Sequence, residues 1–301
     1  MFTGKEFGLG EFSDIATLAV KRDCMFSYAG KIPTNLAPRI VACQRSAHLH
    51  AAAKDRDIAG VILPSALAEA VPGRMGYAVC EDAVGALNEV QSRLALATSG
   101  QWQSFPSRIH PKATIMDGAY VAPNDVVIGK NVTIFPNAVI MHRSIIEEGS
   151  SIGPGTIVGT DAFEVDITAK PRRIVAQSGG VRIGRYVDIQ AKCTIVRATF
   201  GGFTQVGDES KLDCQVHLAH DCRIGKGARI AACAEISGRV TMHDNVFIGP
   251  NASISNGLTI GRNAHVTIGA VVSRDVEEND RVTGNFAINH HKWLDFLRSI
   301  R

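Results

Sequence analysis

Two histidines, His217 and His220, lie within the segment LDCQVHLAHDCRIG at residues 212–225. An imidazole with an ordinary pKa of about 6.5 can take a proton from an attacking amine or hydroxyl at neutral pH. His220 is the third residue of a six-residue unit that starts at Leu218. That position falls near a bend, where the ring either faces a neighbouring subunit as a base or is simply hydrated. Gly238 follows eighteen residues later, and a residue without Cβ lets a substrate approach the backbone closely. A different chemistry would use His217, His220 and His243 as zinc ligands in a hydratase, but their spacing does not match a convincing ligand set. The seven cysteines are scattered without a CxxC pair, which fits small structural residues in a reducing compartment better than a redox or zinc centre.

The elements that must carry these residues are set by a repeat. From Val206 to Val272 an aliphatic residue or Met recurs at every sixth position twelve times in succession. The same period holds at Ile109–Val121, Ile128–Val158 and Ile183–Ile195, giving 24 units in all. Neither a helix nor an alternating strand has period six, so the pattern predicts short strands joined at regular bends. The position four after each aliphatic is mostly small or β-branched, as at Val132, Cys193, Ala228 and Ala264. Two inward positions per unit fit a narrow solenoid whose large residues stack coil on coil. Three units close a triangular coil, so about eight coils build a prism about 38 Å tall at the usual strand spacing. Eighteen residues is one full coil, which predicts that Gly238 stacks about 4.8 Å from His220 along one ridge. Two interruptions, residues 159–182 and 200–205, are expected as surface loops, a place from which insertions often face a binding site.

Residues 1–104 lack the period and mix strand-like runs (40–43, 58–63, 77–80) with helical segments (46–54, 82–97), which predicts a small α/β domain. Residues 98–107 read as a linker, and 105–275 as the prism. After a polar stretch, a terminal helix at about 289–300 is expected to pack across the last coil, with Trp293, Phe296 and Leu297 on one side. Net charge is only +3, from 32 Lys+Arg against 29 Asp+Glu, with no basic block. Nucleic acid is therefore a poor partner. No apolar run reaches the roughly 20 residues of a spanning helix. The expectation is a cytoplasmic chain without stable membrane insertion.

LDCQVHLAHDCRIG, followed by IAACAEISGRV at 230–240, resembles the catalytic stretch of the UDP-3-O-acylglucosamine N-acyltransferases of lipid A biosynthesis, hexapeptide-repeat acyltransferases. GTDAFEVD at 159–166 resembles that family's loop motif, with Ala162 in place of its usual Gly. The resemblance implies a mostly β fold, a left-handed parallel β-helix with a small N-terminal α/β domain and a short C-terminal helix. It places the general base on His220, with Asp221 where the family has Asn, and the oxyanion donor on the Gly238 amide. Asp213 also matches an Asp of that stretch, either orienting the imidazole or standing hydrated on an edge. The family's uracil-stacking aromatics have their nearest counterparts in Phe26 and Tyr28. His217 and Asn256 are the further substrate contacts, Ser255-Asn256-Gly257 standing where the family has a second active-site His. No permanently bound cofactor is implied. The donor is an acyl carrier protein phosphopantetheine thioester or an acyl-CoA, the acceptor the amine of a nucleotide-linked sugar, and the assembly a homotrimer. The shorter C-terminus also fits a short-chain acyl-CoA-dependent nucleotide-sugar N-acyltransferase of surface polysaccharide synthesis.

Overall fold

Aliphatic side chains at every sixth position bury best if each lies directly over its counterpart one coil away, and the chain does this throughout the prism. The computed structural model describes residues 3–15, 17–32, 36–96, 101–284, 287 and 289–300. Short strands run from Arg108–Ile109 to Arg281–Val282 and form three parallel sheets of eight, nine and eight strands, one per face. In the order the chain visits them, the faces open with Arg108–Ile109, Thr114–Ile115 and Tyr120–Val121. On the third face Leu218 registers with Ile195 on one side and Ile236 on the other, and Ile236 with Ile254. All four are buried, and each such side chain contributes about 1.5–3 kcal/mol. Between strands the chain bends through one residue in the left-handed region, such as Asp221 (φ 59°) or Arg239 (φ 62°). That strain, about 1–2 kcal/mol for a residue with a Cβ, is offset by the stacking it permits.

The N-terminal region folds as a five-stranded sheet in the order Ala19–Arg22, Gly76–Val79, Ile58–Leu63, Arg39–Ala42, Tyr28–Gly30. Its last four strands are parallel and Ala19–Arg22 is antiparallel. Helix α1 (Ser46–Lys54) packs Leu49 and Ala52 into one apolar cluster, and helix α2 (Ala83–Leu96) packs Leu87, Val90 and Leu94 into another.

Three parts of the chain depart from the sequence-based expectations. Residues 97–100 of the stretch read as ending a helix and opening a linker lie outside the described residues. Within the rest of that stretch Gln101 and Trp102 are buried; the Gln101 side-chain amide donates to the Ser27 carbonyl, and the Arg143 guanidinium lies 5.6 Å over the Trp102 ring. The short insertion at 200–205 is not simply a surface loop, because Phe200 is buried in the α2-side cluster of the N-terminal sheet. The terminal helix α3 (His290–Ser299) does not pack across the last coil: none of its residues is buried, and Trp293 and Phe296 stack on each other at 5.6 Å instead.

Candidate active site

One edge of the prism, where each coil passes from the third face to the first, collects the residues that matter. Counting two positions past each third-face aliphatic places His142, His220, Gly238 and Asn256 on this edge. Both insertions leave from it as well, after Ile157–Thr160 and after Thr194–Val196, and the chain re-enters on the first face at Gly180–Ile183 and Phe203–Val206.

His220 and Gly238 are in direct contact across one coil. A Cβ built on Gly238 would sit 2.5 Å from His220 Nε2 and 2.6 Å from Cε1, so the ring lies against the glycine and only glycine fits. The Arg239 amide, which donates to the His220 carbonyl at 2.8 Å, ties the two coils together. Among the described residues the Gly238 N–H has no hydrogen-bond acceptor. The other ring nitrogen, Nδ1, is 2.8 Å from Asp221 Oδ2, with both side chains largely shielded at 13% and 14% exposure. Asp221 is itself held: its Oδ1 accepts from the Thr199 amide at 3.2 Å, and its own amide donates to Thr204 Oγ1 at 2.9 Å. Thr204 belongs to the short insertion and Thr199 immediately precedes it, so that segment positions the carboxylate that positions the imidazole. A carboxylate on Nδ1 holds a proton there, leaves Nε2 as the basic nitrogen and stabilises the imidazolium once formed. The neighbouring Cys222 thiol is pushed up to about 12 by burial, so it is protonated and no nucleophile.

The remaining candidates are placed as follows. Asp213 does not orient His220: it lies at the edge between the second and third faces, where its carboxylate accepts from the Cys214 amide at 2.7 Å. The triangular coil puts residues separated by one bend on different edges, whereas Asp221 reaches the ring as its chain neighbour. Asp213 lines instead a cavity of about 610 Å³ on the second face with Lys211, Arg229 and Phe247. Phe26 cannot stack on a base: it is fully buried, packed against Phe7 and Phe12 with ring centroids at 6.4 and 5.7 Å. Tyr28 is half-buried and its ring covers Gly201, where a Cβ would meet Cδ1 at 2.6 Å; burial raises its hydroxyl pKa. His217 points outward from the third face, its Nε2 3.7 Å from Glu235 Oε1. Asn256 accepts from Arg239 Nη2 at 3.1 Å. His243 belongs to the edge between the first and second faces, so the three histidines of the zinc reading do not converge within one chain. Among the described residues no group of three His, Cys, Asp or Glu could hold a metal ion.

The long insertion forms a hairpin, Val165–Asp166 against Arg173–Ile174, held to the N-terminal domain. Lys31 pairs with Glu164 at 2.5 Å and Arg173 with Glu89 of α2 at 2.8 Å. The Gln91 side chain donates to the carbonyls of Ala176 and Thr199 at 3.0 and 3.2 Å, joining α2 to the long insertion and to the residue just before the short one. At its base the buried Arg197 donates to the Gly159 carbonyl and lies 2.7 Å from His142 Nε2 and 3.2 Å from Asp161. Burial, with the Arg197 and Arg143 charges, holds the His142 pKa below its usual value.

Residues 125–160 and 203–238 match the model for the bacterial transferase hexapeptide (six repeats). An acyl-[acyl-carrier-protein]–UDP-N-acetylglucosamine O-acyltransferase of Campylobacter concisus is 30% identical over 192 residues, which cover 60% of this chain and 71% of that protein. The chain belongs to the hexapeptide-repeat acyltransferases. A UDP-3-O-acylglucosamine N-acyltransferase of Herminiimonas arsenicoxydans is 28% identical over 161 residues, covering 54% of this chain and 46% of that relative. The chain thus spans about half the length of the curated N-acyltransferases it matches. The solved LpxA of Acinetobacter baumannii superposes with a TM-score of 0.50 at 22% identity, covering 64% of this chain and 75% of that one. The prism of this family member is therefore the left-handed parallel β-helix. No helix among the described residues is long and apolar enough to cross a membrane.

Proposed function

We propose that the protein transfers an acyl group from a phosphopantetheine thioester, carried by an acyl carrier protein or coenzyme A, to the amine of a nucleotide-linked amino sugar, as in lipid A biosynthesis. The observation that carries this reading is the contact of His220 with Gly238 on one edge, with Asp221 behind the ring. As the amine nitrogen attacks the thioester carbonyl, His220 Nε2 takes its proton. The carbonyl oxygen becomes an oxyanion that accepts from the Gly238 N–H. Collapse reforms the carbonyl and breaks the C–S bond, and the thiolate takes the proton back from the imidazolium. One aimed oxyanion donor contributes about 3–4 kcal/mol to such a step, and the base about 100- to 10,000-fold.

A second reading, transfer to a sugar hydroxyl, is favoured by Asp221. A hydroxyl is a weaker nucleophile than a neutral amine and depends more on the base during attack, and a carboxylate on Nδ1 stabilises the imidazolium that forms. The Campylobacter concisus relative is named as an O-acyltransferase. In this proposal the working unit is a cytoplasmic homotrimer with sites between subunits; the exposed Tyr120, Ile157 and Val271 on the third face support a covered face.

The test incubates the protein with acyl carrier protein and coenzyme A thioesters of several chain lengths and with UDP- and dTDP-linked sugars bearing either a free amine or a hydroxyl. An alkali-stable amide product supports the first reading and an alkali-labile ester the second. His220→Ala is expected to lower kcat 100- to 10,000-fold, and unchanged turnover in that variant sinks both. A monomer in sedimentation at micromolar concentration removes the shared site.

A further inference from the structure

We infer that Arg239 binds a phosphate or diphosphate group of a substrate lying over His220 and Gly238. The inference rests on the acyl-transfer reading for where that substrate lies. A cavity of about 500 Å³ opens beside the catalytic edge, between Ile32, Leu36 and Asp55 of the N-terminal domain and Asp221, Arg223 and Arg239 of the prism. Its floor includes Gly201, Gly202 and Gly257, and a Cβ on Gly257 would meet nothing within 4 Å, so there is room for a ligand against the backbone.

Four charged side chains line this cavity, and the two acidic ones are already engaged. Asp55 pairs with the buried Arg39, and Asp221 with His220. Arg223 lies within the electrostatic reach of Asp221. Arg239 differs from these. Its Nη2 donates to Asn256 Oδ1 at 3.1 Å, which fixes the plane of the fork. Its Nη1 is shielded from water and has no hydrogen-bond partner among the described residues. A guanidinium nitrogen that has lost water without gaining an acceptor is costly to the protein alone. A phosphate in the cavity that Arg239 lines offers the guanidinium a charge-assisted bond once the side chain turns toward it, and the rigid fork suits the geometry of a phosphate. Because Arg239 follows Gly238 directly and its amide is bonded to the His220 carbonyl, an anion held there is at a fixed distance from the reacting centre.

The phosphate can belong to the nucleoside diphosphate of the acceptor or to the phosphopantetheine arm of the donor. Calorimetric titration of the full chain with UDP and, separately, with 4′-phosphopantetheine distinguishes them, with uridine and pantetheine as probes lacking the phosphate. Arg239→Ala is expected to weaken one phosphorylated probe about tenfold or more, the scale of one charged hydrogen bond, and Arg239→Lys to restore part of it. The probe that weakens names the source, while uridine and pantetheine bind as before. Arg239→Gln and circular dichroism guard against a merely misfolded variant. The inference is overturned if neither phosphorylated probe binds the wild-type protein, if both bind Arg239→Ala as they bind wild type, or if the loss is equal for the probes without phosphate. Arg239-dependent binding in a protein that transfers no acyl group would sink the proposed reaction and leave this site standing.

Discussion

At the scale of single residues, the absence of a side chain is the most exacting requirement. A methyl on Gly238 would occupy the space of His220 Nε2, so Gly238→Ala must displace the imidazole, the Asp221 contact, or both. The expected outcome is a fall in kcat of at least about tenfold with a folded, stable protein, read by steady-state rates beside a thermal melt. Unchanged turnover would show that the ring does not act from this position. The stacking of His220 and Gly238 was legible in the eighteen-residue interval because one coil is eighteen residues. The partner of the ring was not. Asp213 was the natural candidate from pattern alone, yet it stands on another edge, and it is Asp221, held by residues of an insertion outside the repeat, that meets Nδ1. Phe26 likewise looked like a recognition residue beside Tyr28, and only the packing of Phe7 and Phe12 around it reveals a core position.

At the scale of elements, the edge that carries His220 and Gly238 is held by columns inside the prism and by a cluster at the base of the long insertion. Ile236 is buried between Leu218 and Ile254, directly inside the bend that carries Gly238. Ile236→Ala is expected to cost about 2–5 kcal/mol, measurable as a lowered denaturation midpoint. A change below a few tenths would contradict the close stacking. The base of the insertion has its own signature. Burial, with two guanidiniums, lowers the His142 pKa in the folded protein. Above about pH 6.5 it is neutral in both folded and unfolded chains and adds no pH dependence. As pH falls from there through the lowered folded value, the unfolded chain binds a proton that the folded one refuses, so stability declines. His142→Gln should therefore lose less stability than wild type between pH 7.5 and 5, followed by chemical denaturation at each pH. Equal declines would remove His142 from the account. The period of six made the columns readable in advance. The Arg197–His142 contact was not, since it joins residues whose proximity depends on where the insertion leaves the edge.

At the scale of the whole molecule, the N-terminal domain is a structural part of the site and not an appendage. Phe200 leaves the prism to enter the domain's core, while Gln91 of α2 bonds to Ala176 of the long insertion and to Thr199 beside the short one. Phe200→Ala is expected to destabilise the protein by about 3–5 kcal/mol and to lower turnover as well, because Thr199 beside it holds Asp221. Limited proteolysis and kinetics on the same preparation check this, and a variant that loosens the domain with full activity would uncouple the two. The terminal helix shows the opposite relation. Its apolar spacing was plain in the chain, but a stripe of Trp and Phe does not say what it will cover, and none of it is buried here.

Because the bends of this edge that carry no insertion are built alike, the distance between His220 and Gly238 is a property of one storey of the tower and not of its height. Inserting a complete eighteen-residue storey after Val272 should leave the contact of His220 with Gly238 untouched. Adding a single residue between 221 and 237 would rotate everything above it onto the wrong corner. The architecture therefore tolerates growth by whole storeys at its end and forbids nearly all other changes of length through its middle.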